Sequence, residues 1–538
     1  MPTRVITPAD YGLPHSAFRS YQLESIEWIA DSTPLVLKIL DAPVGSGKSD
    51  CAIGQSVRGQ TIVLTKSKNL QVQYGDLFSD CAVLFGRRNY PCQHKDTPPS
   101  ATADDCLFRE NMHKCPIASQ CAYLNAKELA HASQRVALNY AYWLTTYKKW
   151  QPYQLVLDEA HNLSDIVLDW VGCTIDARDI QRWELPDVPT ISVASTNPLF
   201  PTPDQTPVAV TWLNASIKIL QATLDKILKR QPTERNLQDK RACEGVLRKL
   251  ANTREALQTY PGAHWYIRSG ANATWNGAGF VCKPLTARYD APRFFFQNRP
   301  RVLAMSATIG RADAFAAEEG IEKWDWRVVP NQWPPESRQV EILAAPSMGH
   351  AACTNHPENW DLQADVIAKQ IKQLPNTWPG LILVSRKSEA KFLGERLARR
   401  GISDRLWVLP GADDVYYPTQ TQMEFWHQQM QRRPNSICLS WNMWEGLNGT
   451  WLKQVYLAKI PYPNTQDDYE RARMEYDRKF YYQRTGYLTE QGLGRGRRGE
   501  IEDYNFDGQL NNYAAIADAS WNRIQGYLSQ SMREAIVK

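Results

Sequence analysis

Residues 41–50 read DAPVGSGKSD, and this stretch decides the fold. It follows an apolar run, Leu35-Val36-Leu37-Lys38-Ile39-Leu40, that reads as a buried strand, and a helix is expected from Lys48 onward. A strand, a glycine turn and a helix N-terminus together make an anion trap. Gly45 and Gly47, on either side of Ser46, let the backbone curl so that successive N–H groups turn inward, and the helix dipole adds partial positive charge. Lys48 then reaches a β/γ-phosphate and the Ser49 hydroxyl ligates magnesium, so the expected ligands are ATP and Mg²⁺. Ala42 stands where the pattern G-x-x-x-x-G-K-[ST] has its first glycine. Alone, the stretch also admits an ordinary glycine loop, and the rest of the chain has to decide.

The 538 residues suffice for three or four domains, and 43% hydrophobic with 22% charged residues is an ordinary globular composition. A net charge of +5 announces no global affinity for nucleic acid, so any such site is a local groove. The N-terminal MPTRVITPADYG has no apolar signal core and no apolar run reaches membrane-spanning length, so the expectation is a cytoplasmic protein without a membrane partner.

Upstream of the loop, FRSYQLESIEWIA gives a helical apolar face from Leu23, Ile26, Ile29 and Ala30, with Arg19 and Gln22 on its approach. A glutamine amide both donates and accepts, so Gln22 suits an adenine edge; a solvated helix residue is the alternative. Downstream, Thr61 to Leu64 is a second strand, followed by a polar turn and a helix. Two adjacent β-α units imply a parallel doubly wound sheet with ligands at the strand C-termini, where Thr65, Lys66 and Ser67 stand.

Four of the 11 cysteines, Cys92, Cys106, Cys115 and Cys121, crowd into one segment with spacing C-x13-C-x8-C-x5-C. Structural zinc sites present close pairs such as C-x2-C, and none occurs here. Four singly spaced thiolates suit a [4Fe–4S] cluster, which needs one ligand per iron; zinc or inert buried thiols are the alternatives. Pro91, Pro98, Pro99 and Pro116 break regular structure, which predicts a loop-rich insert held by its metal.

QLVLDEAHNL then gives a short strand, Leu155 to Leu157, ending in two carboxylates. Asp158 can hold magnesium and Glu159 can take a proton from the attacking water. Beyond about residue 164, Leu213, Ile217, Leu220, Leu224 and Ile227 mark one face of an amphipathic helix. Pro232 ends it, and a second helical run carries Leu237, Val246, Leu250 and Leu257, so a helical hairpin is expected. Its basic residues (Lys226, Lys229, Arg230, Lys240, Arg241, Arg248, Lys249) either face a nucleic-acid backbone or form a solvated outer face. The sheet resumes at RVLAMSATI, whose Ser306 and Thr308 suit a nucleotide-sensing segment. A second α/β unit follows, with strands expected at 381–384, in SICLS and in QVYLAK. In QGLGRGRR, Gln491, Arg495 and Arg498 share one helix face, so two guanidiniums from this second unit can meet a γ-phosphate.

Taken in order, APVGSGKS (42–49), FGRRNYPC with the four cysteines, LNYAYWL (138–144), VLDEAH (156–161), MSATI (305–309), WEGLNG (444–449) and QGLGRGRR (491–498) resemble the motifs of superfamily 2 helicases, specifically the iron–sulfur XPD/DinG group, in a compact DinG-like form. The resemblance spans nearly the whole chain. It implies an α/β fold of two RecA-like parallel-sheet motor domains, with an iron–sulfur cluster insert and a helical arch inserted in the first. The corresponding segments are 1–85, 125–165 and 265–310 for the first motor, 86–124 for the cluster, 166–264 for the arch and 311–538 for the second motor. It further implies an ATP-dependent helicase that moves 5′→3′ on single-stranded DNA and opens duplexes, fork junctions or R-loops as a monomeric motor. Matched by position, Lys48 and Ser49 serve phosphate and magnesium, Asp158 and Glu159 the metal and the water, and His161 coupling. Gln491 is the motif glutamine, Arg495 and Arg498 are arginine fingers, and Gln22 and Arg19 lie on the adenine side. Asn448 departs from the usual aspartate after WEG-I/L, which bears on motor coupling.

A motor that slides must grip phosphates and stack on bases without reading base edges; Thr65, Lys66 and Trp444 are the candidates, with a core position as the alternative for Trp444. Two rival functions stand beside the helicase. One is a remodeller of protein–nucleic-acid complexes that opens no duplex. The other is a non-catalytic scaffold or redox sensor built on the cluster, against which the intact Lys48, Glu159 and arginine pair argue.

Overall fold

The structure is a computed structural model and describes residues 5–31, 35–43, 46–109, 111–189, 191, 205–262, 264–274, 277–331, 338–408, 428, 431–433, 435–441, 452–494 and 512–537. Its first half is built on β1 (Leu37–Asp41), β2 (Thr61–Thr65), β3 (Cys81–Val83), β4 (Arg135–Asn139) and β5 (Gln154–Asp158). An antiparallel trio follows in the chain, β6 (Cys173–Asp176), β7 (Trp265–Thr274) and β8 (Gly277–Pro284), then β9 (Val302–Ser306) and β10 (Trp324–Val328). Seven of these strands form one parallel sheet in the order β10-β1-β9-β5-β2-β4-β3. β1, β2, β5 and β9 are buried at every position, as expected of apolar runs covered on both faces. Asp41 lies opposite Ser306, and Met305 opposite Asp158. The sheet thus delivers the ends of β1, β9 and β5 side by side at one edge, although the sequence separates them by more than a hundred residues.

Two insertions interrupt this sheet. The segment between β3 and β4 carries the four cysteines on short 3₁₀ turns, 87–89, 103–105, 112–114 and 118–120, as its prolines foretell. The second holds the expected helical hairpin, Gln205–Leu228 packed on Glu234–Thr259. Its extent differs from the expected 166–264. β7 and β8 pair with β6 in an antiparallel sheet of the insert, so 265–284 does not rejoin the motor sheet. The reason is burial: the hairpin needs an apolar floor, and Trp212 packs on Phe280 at 4.4 Å between ring centroids.

The second half forms another parallel sheet from β11 (Val340–Ile342), β12 (Gly380–Leu383), β13 (Leu406–Val408), β14 (Ile437–Ser440), β15 (Gln454–Leu457), β16 (Tyr513–Ile516) and β17 (Ile536–Val537). Its order is β13-β14-β12-β15-β16-β11-β17. Two RecA-like domains follow, as expected, but the division at residue 310 needs correction. After the helix Ala312–Glu318 the chain returns as β10 and pairs with β1 in register Leu37 to Trp324, closing the edge of the first sheet. A parallel crossover needs an intervening helix, and that helix lies beyond residue 310. Among the described residues no helix is long and apolar enough to cross a membrane.

Candidate nucleotide site and cysteine insert

The phosphate loop leaves β1 at Asp41 and enters the helix Lys48–Ile53 through Gly47, whose φ of 80° only glycine adopts without strain. A Cβ on Gly47 would also lie 2.5 Å from Gln22 Nε2. Lys48 Nζ donates to the loop carbonyls of Ala42 at 2.9 Å and Pro43 at 3.3 Å, and the Ser46 hydroxyl donates to Pro43 O at 2.7 Å. The lysine thus rests on carbonyl oxygens, which phosphate oxygens can replace. Gly45 lies outside the described residues.

Gln22 is buried and braces the loop. Its amide donates to Asp50 Oδ2 at 2.7 Å and Gly47 O at 3.4 Å, and its carbonyl accepts the Arg19 N–H at 3.0 Å. Both amide hydrogens are used within the chain, so an adenine edge would have to displace one of them. The solvated alternative for Gln22 does not apply. The Arg19 side chain is exposed.

At the end of β5, every polar group of Asp158 is engaged. Oδ1 accepts the Glu159 N–H at 2.9 Å, Oδ2 accepts the Tyr74 hydroxyl at 3.1 Å, and the main-chain carbonyl accepts the Tyr140 hydroxyl at 2.9 Å. Burial pushes the Asp158 carboxyl up to about 7, Glu159 adds to this, and Lys48 opposes it. Glu159 has φ 51°, a left-handed conformation that costs a non-glycine residue about 1 kcal/mol or more. Its carbonyl is held by the Asn162 main-chain N–H at 3.0 Å and side-chain amide at 3.2 Å. The Glu159 carboxylate stays partly open, about 34% exposed, and so can meet a water.

His161 joins three motifs. Its Nδ1 lies 2.7 Å from Ser306 Oγ and 3.3 Å from Glu159 Oε2, and its Nε2 lies 2.9 Å from the Asn162 amide and is also met by the Gln491 amide of the second domain. Two amide donors on Nε2 place the ring proton on Nδ1, from where it is donated to Ser306. Ser306 in turn donates to Glu159 at 3.4 Å. Gln491 sits on the helix Arg478–Leu493, so a side chain of the second domain reaches the carboxylate strand of the first. The same helix sends the Gln483 amide to Ile309 O. Nearby, Arg473 and Arg484 converge on Asp165 at 3.1 and 3.4 Å. Burial would raise that carboxyl, but the two guanidiniums outweigh it and hold it at about 2.

Cys92, Cys106, Cys115 and Cys121 line one cavity of about 70 Å³, together with Met112 and Ile117. Cys106, Cys115 and Cys121 each follow a 3₁₀ turn, and the Cys92 N–H is pinned to Ala101 O at 2.9 Å. Burial raises the Cys106 thiol, and Cys92, Cys115 and Cys121 all add to the shift, so the four sulfurs lie within electrostatic reach of one another. None is in a disulfide. Among the described residues no group of three or more His, Cys, Asp or Glu side chains is arranged to hold a metal ion.

Of the strand-end residues chosen for nucleic acid, Thr65 is fully buried and its hydroxyl donates to Ser67 O at 3.0 Å, so it offers nothing to a ligand at the surface. Lys66 is exposed and donates to Asn162 Oδ1 at 2.8 Å, beside the DEAH turn. Trp444, Asn448, Arg495 and Arg498 lie outside the described residues. On the hairpin, Lys240 and Arg241 turn inward to Asp104 O and Asp105, while Lys226, Lys229 and Arg230 stand exposed near its tip. Tyr74, Tyr140 and Asn162 have no counterpart in the sequence reading. Asn162 follows the DEAH motif directly, but Tyr74 lies in a helix whose polar sequence gives no sign of its role.

No protein-family model matches the sequence, and no curated protein matches it. Among solved structures, the chain is similar to an XPD helicase at 13% identity and a TM-score of 0.54, with 93% of this chain and 95% of that one covered. It is similar also to an apo form of XPD (14%, TM-score 0.56, coverage 93% and 95%) and to Xpd4 of S. tokodaii (14%, TM-score 0.53, coverage 97% and 100%). At these identities the likeness is one of fold.

Proposed function

We propose that the chain is an ATP-driven helicase that moves 5′→3′ on single-stranded DNA and parts duplexes ahead of it. The observation that carries this reading is the position of His161, in contact at once with the hydrolytic Glu159, with Ser306 and with Gln491 of the other domain. A phosphate site alone would need no such link; a motor must transmit the state of the nucleotide between two domains. The fold likeness to XPD structures over almost the whole chain supports the same reading. The 5′→3′ sense rests on the motif resemblance.

Lys48 exchanges the carbonyls of Ala42 and Pro43 for phosphate oxygens. The Ser49 hydroxyl, on the helix after β1, and the Asp158 carboxylate, at the end of β5, are hard oxygen donors, which fits magnesium, and the bound ion would neutralise phosphate charge. Glu159 takes the proton of the attacking water, with His161 and Ser306 holding its carboxylate. By their place after Gln491, Arg495 and Arg498 supply guanidiniums to the γ-phosphate when the domains close. The grip on the strand is through phosphates, with Lys66 the described candidate.

The cysteine insert is proposed to hold a [4Fe–4S] cluster. Four thiols from four separate points of the insert line a single cavity. A cuboidal cluster takes one thiolate per iron, and four thiols around one cavity support that reading.

The test is DNA-stimulated ATP hydrolysis together with unwinding of matched duplexes bearing only a 5′ or only a 3′ overhang. Stimulated hydrolysis and opening of the 5′-tailed duplex are expected. Opening of the 3′-tailed duplex alone refutes the polarity, and stimulated hydrolysis with displacement of bound protein but no unwinding would make the chain a remodeller. The absence of any hydrolysis would favour a scaffold.

A further inference from the structure

Tyr74 stands on the helix Lys68–Leu77, is 2% exposed, and stacks on Phe78 at 6.2 Å between ring centroids. The helix is fixed beneath the sheet edge by Gln71, whose buried amide donates to Leu84 O at 3.1 Å and Ala137 O at 3.2 Å. From that anchored position the phenol reaches the nucleotide site. Its hydroxyl donates to Asp158 Oδ2 at 3.1 Å. A phenol has one hydrogen to give and lone pairs to accept with. The one hydrogen of Tyr74 is therefore spent on Asp158.

We infer that Tyr74 is a positioning residue for the magnesium site, its buried hydroxyl holding the Asp158 carboxylate of the DEAH strand in place. The inference rests on the reading of this site as one for magnesium and ATP. Ser49 lies on the helix that follows β1 and Asp158 at the end of β5, with β9 between β1 and β5 in the sheet. Nothing in the sheet ladder fixes the separation of the two side-chain oxygens. The other Asp158 oxygen is held by the Glu159 N–H, so this bond and the one from Tyr74 together keep the carboxylate from turning. Tyr74 contacts neither phosphate nor water in this scheme, and its effect passes through Asp158.

Tyr74→Phe removes the oxygen and keeps the ring. A fluorescent ATP analogue is titrated onto wild type and variant, first in EDTA and then at fixed analogue with rising Mg²⁺; Mn²⁺ bound in the presence of nucleotide is counted by electron paramagnetic resonance. Affinity in EDTA is expected to stay within about twofold. The Mg²⁺ concentration for half-saturation is expected to rise about tenfold or more, as the loss of one hydrogen bond to a charged group implies, with Mn²⁺ affinity falling in parallel. A half-saturation within twofold of wild type overturns the inference. Wild type binding nucleotide with no dependence on Mg²⁺ overturns the magnesium reading itself, and the inference with it. Should Tyr74→Phe not fold, 3-fluorotyrosine placed at position 74 of the otherwise native chain reports the same contact. Its ¹⁹F resonance is expected to move with Mg²⁺ at the midpoint of nucleotide binding, and a resonance unmoved by Mg²⁺ overturns the proposal.

Discussion

Replacing His161 by alanine should uncouple the two domains while leaving nucleotide binding intact. The imidazole supplies the contacts to Ser306 at 2.7 Å, to Asn162 at 2.9 Å and to the Gln491 amide. Ser306 keeps Thr308 as a neighbour, with the Thr308 N–H at 3.1 Å, and Asn162 keeps the Glu159 carbonyl. Gln491 is left worst, since its Oε1 is already buried without a partner and its amide then loses the histidine. A buried polar group stripped of its partner costs about 1–3 kcal/mol. Taking about 2 kcal/mol, the closed arrangement becomes some thirtyfold less populated, at 1.4 kcal/mol per factor of ten. The expected result is a DNA-stimulated turnover about thirtyfold below wild type, with affinity for an ATP analogue within about threefold. Gln491→Ala should cost about as much, and the double variant little more than either alone, because both remove one bond. The cycle should therefore show a coupling of about 1–2 kcal/mol. Additivity within about 0.5 kcal/mol would refute the link, and so would loss of nucleotide binding in His161→Ala.

Three further outcomes follow from the site. Glu159→Gln should bind nucleotide normally and lose turnover by about a hundredfold or more, since the amide cannot take a proton; near-normal stimulated hydrolysis would remove Glu159 from the chemistry. Protein purified without oxygen should carry about four iron atoms, and Cys115→Ser should lose them and lower unwinding more than hydrolysis; zinc with negligible iron would overturn the cluster. Burial pushes the Glu490 carboxyl of the second domain up to about 8, against Ser529 and with Asp41 adding to the rise, so its contribution to stability is complete below its unfolded value near 4.5 and is lost as pH rises through about 8. The melting temperature should fall between pH 6.5 and 8.5 and do so less in Glu490→Gln, and parallel profiles would exclude the assignment.

How far the sequence reaches depends on whether a signal is local. The phosphate loop, the DEAH strand and the SAT strand each combine an apolar run with polar residues at its end, and the two apolar-face stripes mark the hairpin. All of these were legible. β10 was not, because Trp324-Asp325-Trp326-Arg327-Val328 alternates polar and aromatic residues and lies at an edge. Its membership of the first sheet is a fact of pairing over nearly 290 residues. Gln22 illustrates a different limit. Its type suits an adenine edge, and only the three-dimensional contacts show its amide committed to Gly47 and Asp50. Thr65 fails as a surface contact for a similar reason, since a strand-end position does not reveal which way the hydroxyl turns.

The hairpin arginine and lysine that a sequence reading offers to nucleic acid have a structural partner, and that partner explains why the cysteine insert should matter mechanically. Arg241 pairs with Asp105 and reaches Ser100 O at 3.2 Å, Lys240 donates to Asp104 O at 3.1 Å, and Arg109 pairs with Glu244. Asp105 is buried and precedes Cys106 directly; its carboxylate also closes a capping turn with Thr102, at 3.0 Å to both the amide and the hydroxyl. Burial alone would raise this carboxyl, yet Arg241 and Thr102 bring it below the usual range. The turn that presents Cys106 to the shared cavity is thus the turn that the hairpin grips. A small insert of 3₁₀ turns has little apolar core of its own, so a metal at its cysteines would be what keeps that turn in shape. Loss of the Cys106 ligand should then loosen the bond between insert and hairpin, the two elements that rise from the first domain. The phosphate loop is held separately, by Gln22 and Asp50, and feels no such change. On the proposed reading, hydrolysis and strand separation then draw on different parts of the chain, and damage to the insert should separate them.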